Sequence, residues 1–163
     1  MFNNAFNLSR TKRAALSINS DFLYSFEKIA SDLIEEPLRG KLRQTRKGFI
    51  YVEVPSEIMS PFRSMIKEKN VFAPPVKESV GAHITVVMDD EATENKIKIK
   101  TDKEVEFWIR GFYSVIPDGW KNVKKCWFLV VDSPDIEKLR TGWGLTKKDR
   151  GHRLHITVAV QYK

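Results

Sequence analysis

The 163-residue chain has one cysteine, three histidines and no apolar run longer than a strand, and each shortage closes off a class of explanation. A lone Cys126 forms no internal disulfide, so it reads as a buried thiol in a reducing compartment. A zinc site needs several thiolate or imidazole ligands at short spacing, and Cys126 with His83, His152 and His155 supplies no such spacing. Asp89-Asp90-Glu91 stands at the end of a predicted strand, where a turn or helix cap is its simplest role. The longest apolar stretches, such as 126–131, are strand-sized, far below the roughly 18 residues that a membrane span requires. Residues 1–10 are polar and aromatic and lack the apolar core of a secretion signal. The expectation is a cytoplasmic protein with no metal, no cofactor and no membrane partner.

What is present is an ordinary globular composition, 42% hydrophobic and 11% aromatic, enough to bury a core in a single domain over residues 1–163. The net charge of +7 is unevenly placed. Arg39, Lys41, Arg43, Arg46 and Lys47 come without an intervening acid. Lys147, Lys148, Arg150 and Arg153 crowd ahead of His155. Such clustering favours a polyanionic ligand.

Residues 1–19 read as an N-terminal arm. From Ser20, the spacing of Phe22, Phe26, Ile29 and Leu33 predicts an amphipathic helix ending before Pro37 or Gly40. The basic segment 39–48 reads as a loop leading to a strand over 49–54, with Ile50, Val52 and Val54 on one face and Phe49, Tyr51 and Glu53 on the other. Residues 56–69 predict a second helix, 70–81 a loop and 82–88 a strand. Lys96 to Lys100 and 105–116 predict an antiparallel pair, with the lysines protecting an edge. A strand over 123–132, a helix from Ser133-Pro134 and a strand over 153–162 complete the order. The pattern argues for α+β, with helices on one face of a largely antiparallel sheet and both histidines on the open face.

His-Ile-Thr-Val occurs twice, at 83–86 and at 155–158, and uses two of the three histidines. In a strand, residues i and i+2 share a face, so each copy presents an imidazole beside a hydroxyl while Ile and Val point into the core. A single His-x-Thr reads as structure; two copies, each preceded by a loop and each spending a scarce histidine, read as a site. Imidazole titrates near neutrality, so one ring can accept a proton while the other donates one. That is what phosphodiester cleavage needs: one ring deprotonates the attacking oxygen and the other protonates the departing one. Thr85 and Thr157 offer hydroxyls to the non-bridging oxygens. His152 has the opposite strand parity to His155 and reads as a surface or supporting residue.

The paired His83-x-Thr85 and His155-x-Thr157 resemble the twin signature of the 2H phosphoesterase superfamily, which includes RNA 2′,3′-cyclic phosphodiesterases. The likeness covers about 47–162, including Ser133-Pro134, Gly144 and the basic loop before the second motif. It implies a bilobal, pseudo-symmetric α+β fold of largely antiparallel sheets, with helices on the outer faces, a central groove and no metal. The chain is also similar to phage anti-CBASS phosphodiesterases, implying a metal-independent enzyme that hydrolyses 3′–5′ linked cyclic oligonucleotide signals in the host cytoplasm. Should such relatives use a lid, the N-terminal arm would have to replace it, because little chain follows Thr157.

For such a substrate Tyr51 and Trp143 are the expected stacking surfaces. Arg153 is expected to point into the groove if the last strand starts there, with Arg150, Lys147 and Lys148 closing over the phosphates. Two alternatives stay open: an RNA 2′,3′-cyclic phosphodiesterase or RNA-end processing enzyme, and a non-catalytic nucleotide- or RNA-binding module.

Overall fold

A computed structural model of the protein describes residues 25–30, 36–75 and 80–163. Among the described residues, eight strands form one sheet: β1 (Ser25–Ala30), β2 (Leu38–Gln44), β3 (Ile50–Glu53), β4 (Val71–Phe72), β5 (His83–Val87), β6 (Glu104–Ile116), β7 (Val123–Asp132) and β8 (His155–Tyr162). Three α-helices of the described residues accompany them: α1 (Met59–Ser64), α2 (Asp89–Glu94) and α3 (Pro134–Gly142). All the strand pairings are antiparallel. β6 pairs with both β2 and β7, and the succession β2–β3–β5–β8–β7 returns to β6. Six strands therefore close on themselves, with β1 added to β6 and β4 to β8.

The ring is built from two similar halves. The hairpin β2–β3 is followed by α1 and, after the short β4, by β5, which pairs back onto β3. The hairpin β6–β7 is followed by α3 and then β8, which pairs back onto β7. Each half is thus a β-β-α-β unit ending in one His-Ile-Thr-Val strand. The halves meet at two seams, β2 on β6 and, between the two motif strands, Ile84 on Ile156.

Alternation in the sequence sets the faces. Ile50, Val52, Ile84, Val86, Leu129, Val131, Ile156 and Val158 are all buried in the main core with Met59 and Phe62 of α1, Ala92 of α2 and Ile136 of α3. Full burial of each such aliphatic chain contributes about 1.5–3 kcal/mol, so this helix-covered face holds the fold together. In β8 the ladder slips by one residue, since Trp127 pairs with Ala159 and Phe128 with Thr157, and Val158 and Ala159 both enter the core. The carbonyl of Val158 accepts from Arg63 Nε at 3.0 Å, which ties α1 to the strand of the second motif.

α3 starts where the sequence places it. Ser133 Oγ accepts from the Ile136 amide at 3.2 Å and donates to the Glu106 carbonyl at 2.6 Å, with Pro134 in the first turn. Its end is marked by Gly144 at φ 77, where L side chains are disfavoured. At Gly40 a Cβ would meet Val52 Cγ1 at 2.4 Å and the Glu53 carbonyl oxygen at 2.5 Å, so only glycine lets β2 lie this close to β3.

Several expectations are corrected. Ser25–Ala30, placed within the helix from Ser20, is a strand paired with residues 112–116 of β6. β6 is 13 residues long, and its last third would otherwise leave one backbone edge unpaired. The arm 1–19 and the remainder of that helix fall on 1–24 and 31–35, outside the described residues. The basic segment is no loop: Leu38–Gln44 forms β2, with Leu42 buried in the core and Arg39, Lys41 and Arg43 alternating to the other side. Lys96–Lys100 makes no strand. The Gln44 side chain holds it instead, donating to the Ile97 carbonyl at 3.0 Å and accepting from the Ile99 amide at 3.2 Å. The second helix is a 3-10 turn (Ser56–Ile58) running into the short α1, and Asp89-Asp90-Glu91 opens α2.

Candidate active site

The pairing of Ile84 with Ile156 brings His83 level with Thr157 and Thr85 level with His155, because antiparallel partners shift in opposite directions. The two histidines are then diagonal neighbours, about 7–8 Å apart and somewhat less at Cβ. The junction places both His–Thr pairs on the face opposite the helices, as strand parity requires.

Each imidazole is held the same way. His83 Nδ1 donates to the Gly81 carbonyl at 2.7 Å, and His155 Nδ1 donates to the Arg153 carbonyl at 2.9 Å. A carbonyl only accepts, so this bond assigns the proton to Nδ1 in both neutral rings and leaves Nε2 with its lone pair. Aromatic rings on the adjoining strands fix the ring planes. Phe49 and Tyr51 lie edge-on to His83 at 5.6 and 5.9 Å, and Phe128 lies edge-on to His155 at 5.9 Å. Among the described residues, neither Nε2 and neither threonine hydroxyl has a hydrogen-bond partner.

The flanks of the two motifs differ in polarity. Lys41 pairs with Glu53 and Glu53 with His83; Arg43 pairs with Tyr51 and Tyr51 with Thr85. In the other half, Val130 pairs with His155 and Phe128 with Thr157, while Gly111 and Tyr113 pair with Val130 and Phe128. Directly opposed residues share a face, so the equivalents of Lys41, Arg43 and Glu53 are Gly111, Tyr113 and Val130. One wing is charged and the other apolar. Arg43 donates to Glu53 at 3.0 Å, and to Asp102 as well. Loss of hydration, then the charge of Glu53, raises the Tyr51 phenol above its usual range.

His155 is drawn below the ordinary imidazole value, first by loss of hydration among the surrounding protein atoms, with the charges of His152 and His83 acting in the same direction. Its bond to the Arg153 carbonyl opposes this. Solvent still reaches the ring. That contact limits the shift, and the two like charges preserve its sign. His155 therefore favours the neutral form.

Of the other residues singled out, Tyr51 lies beside His83. Trp143 follows α3 and packs on the main core. Arg153 precedes β8, which begins at His155 and not at 153, and its carbonyl holds His155 Nδ1. Arg150, at φ 47, pairs with Asp90, and Lys147 pairs with Glu137 at 3.4 Å. Both are solvent-exposed pairs of the kind that contribute little to stability. His152 sits exposed in the loop, its charge felt by His155.

Sequence reasoning passed over Arg140. Its side chain is fully buried and donates to both oxygens of Glu91 at 3.1 Å, to the Thr146 and Lys148 carbonyls at 2.7 and 3.2 Å, and to the Val86 carbonyl. It thereby ties the end of β5 to the loop entering β8. The available signal was an arginine on the inner side of a helix beside Ile136. Cys126 is buried, and loss of hydration pushes its thiol up to about 12, which makes it inert near neutrality. Among the described residues, no three His, Cys, Asp or Glu side chains are grouped to hold a metal ion, and no helix is long and apolar enough to cross a membrane.

No curated protein and no solved structure matches the chain. A family model does: that of the Swiss Army Knife 2H phosphoesterase domain matches residues 50–163, a span that starts at β3 and includes both His-Ile-Thr-Val strands. Two His–Thr pairs joined across an antiparallel junction, in an α+β fold of two ring-forming halves, agree with that match, and the chain belongs to the 2H phosphoesterases, hydrolases of phosphodiester bonds.

Proposed function

We propose that the protein hydrolyses 3′–5′ linked cyclic di- or oligonucleotide signals in the host cytoplasm, and so counters CBASS-type antiviral immunity, with His83, Thr85, His155 and Thr157 as the reacting groups. The observation that carries the chemistry is the set of four unpartnered atoms at the junction: two Nε2 atoms and two hydroxyls on one face. His155, in the apolar wing, is the base. Its Nε2 takes the proton from the attacking oxygen, a ribose 2′-hydroxyl or a water, as that oxygen bonds to phosphorus. His83, across from the Glu53 carboxylate, is the acid and gives its Nε2 proton to the departing oxygen as the P–O bond breaks. Thr85 and Thr157 donate to the non-bridging oxygens, where charge concentrates. Tyr51 is the stacking surface beside the reacting phosphate, and Trp143, Arg153, Arg150 and Lys147 belong to the loop side of the substrate.

The assignment of the base sets a pH dependence. A base whose pKa is lowered stays deprotonated further into acid, so the acidic limb of kcat/KM falls below the ordinary imidazole value of about 6.5. A profile measured with a cyclic dinucleotide is expected to hold its activity at pH 6.5; a limb centred at or above that value removes His155 from the role of base.

The substrate class is tested by chromatographic product analysis with chelator present, offering cyclic dinucleotides, cyclic trinucleotides and RNA with 2′,3′-cyclic ends in parallel. Linear products from the cyclic oligonucleotides are expected. Turnover confined to the RNA ends would reassign the enzyme to RNA-end processing, and binding without turnover of any phosphodiester would make it a nucleotide-binding module.

A further inference from the structure

A cleft of about 560 Å³ opens beside the first motif, walled by Arg39, Lys41 and Arg43 of β2, by the carboxylates of Glu53, Glu57 and Glu104, and by Gly81 and Ala82 just ahead of His83. Its volume is in the range of small-ligand sites. Gly81 supplies the carbonyl that holds His83, so the cleft and the reacting groups share a wall.

The cations of this wall are not equivalent. Arg39 is bonded to Glu106 at 2.9 Å with Glu104 at 3.7 Å, and Arg43 is bonded to Glu53 and Asp102. Lys41 is exposed and has no ion-pair or hydrogen-bond partner among the described residues. It lies in one cross-strand row with Glu104 on one side and with Glu53 and His83 on the other. Two strand spacings, about 10 Å, separate its backbone from that of His83. The second half of the protein has Gly111 at the equivalent position and no cation there. The charge on one wing therefore has no counterpart at the equivalent position of the other.

We propose that this cleft is a subsite for a second phosphate group of the substrate, one nucleotide away from the phosphate held between His83 and His155, with Lys41 as its anchor. The subsite rests on the phosphodiesterase reading above and narrows its substrate class to molecules with two or more phosphates. Lysine suits the task, since a strongly hydrated point charge on a flexible stem follows a mobile phosphate without demanding a fixed fork geometry. Arg39 and Arg43, engaged with carboxylates, shape the walls and keep the cleft from closing on itself.

The test compares Lys41→Gln with the wild-type chain on a cyclic dinucleotide, which has two phosphates, and on a nucleoside 2′,3′-cyclic monophosphate, which has one. Loss of a charged hydrogen bond to phosphate is expected to lower the preference for the two-phosphate substrate about tenfold. It also weakens the dependence of KM on salt concentration for that substrate, because one screened charge pair is lost. A merely structural role for Lys41 moves neither ratio nor slope. An unchanged preference, or a wild-type enzyme that turns over only the one-phosphate substrate, overturns the subsite. Equilibrium binding of the cyclic dinucleotide to His155→Ala separates the two readings. Binding that weakens about tenfold in the Lys41→Gln, His155→Ala double variant supports the subsite even if the wild type proves inactive, an outcome that would defeat the phosphodiesterase reading alone. Binding that ignores Lys41 defeats the subsite even if hydrolysis is robust.

Discussion

Replacing His155 with alanine is expected to lower kcat for phosphodiester hydrolysis by about 10²–10⁴-fold, and His83→Ala by a similar factor, with chelator present throughout. The expectation follows from the geometry of the junction. Each ring is oriented by a carbonyl two residues earlier and by aromatic edges from the neighbouring strand, so neither motif can cover for the loss of the other. With one ring proposed to take a proton and the other to give one, the double variant is expected to be little worse than the poorer single variant, the non-additivity of groups that act as a unit. Solvent reaches both rings and neither belongs to the main core, so the melting temperature should move little. Single-turnover kinetics alongside a thermal melt make the check. Full turnover in either variant removes the paired-histidine mechanism.

Arg140→Ala is expected to have the largest effect on stability. The guanidinium is entirely buried and makes charged bonds to both oxygens of Glu91, whose side chain is 21% exposed, and to three backbone carbonyls. Truncation strands the carboxylate and leaves those carbonyls without a donor, a loss of about 3 kcal/mol. For a domain of this size that lowers the melting temperature by roughly 6–12 °C. Arg140→Lys retains the charge but cannot span Glu91, Val86, Thr146 and Lys148 at once, so it should recover only part of the loss. A melt within about 2 °C of wild type for Arg140→Ala would show that solvent or another donor replaces it. Since Arg140 joins the end of β5 to the loop ahead of β8, the same variant should loosen the approach to both motifs.

Legibility from sequence followed the range of the interactions involved. β7, α3 and the two motif strands were readable because their signals are local: an apolar run, a serine cap with proline behind it, and alternation over five or more residues. The face bearing Phe49, Tyr51 and Glu53 was readable for the same reason. β1 was not, since the spacing of Phe22, Phe26, Ile29 and Leu33 follows a helical period and the ladder of β6 overrides it. β2 was missed because its basic residues drew attention from the alternation of Leu38, Gly40 and Leu42, which becomes meaningful only with β3 and β6 on either side. Lys96–Lys100 alternates like a strand but is held by the Gln44 amide in place of a ladder. Arg140 was silent because a lone arginine on a helix carries no sign of Glu91, 49 residues away in the chain.

By itself the sequence determined which way the paired imidazoles and hydroxyls face. Two imidazoles and two hydroxyls set at i and i+2 among Ile and Val must lie opposite the core on any strand, since side-chain alternation is a property of the strand alone. Only the tertiary structure decided how those groups meet. The register at Ile84 and Ile156 sets each histidine level with the other motif's threonine, and the hairpins that flank the motifs make one wing charged and the other apolar. Register and wing polarity depend on which distant backbone edges pair, and that choice is made by the packing of the whole sheet on its helices.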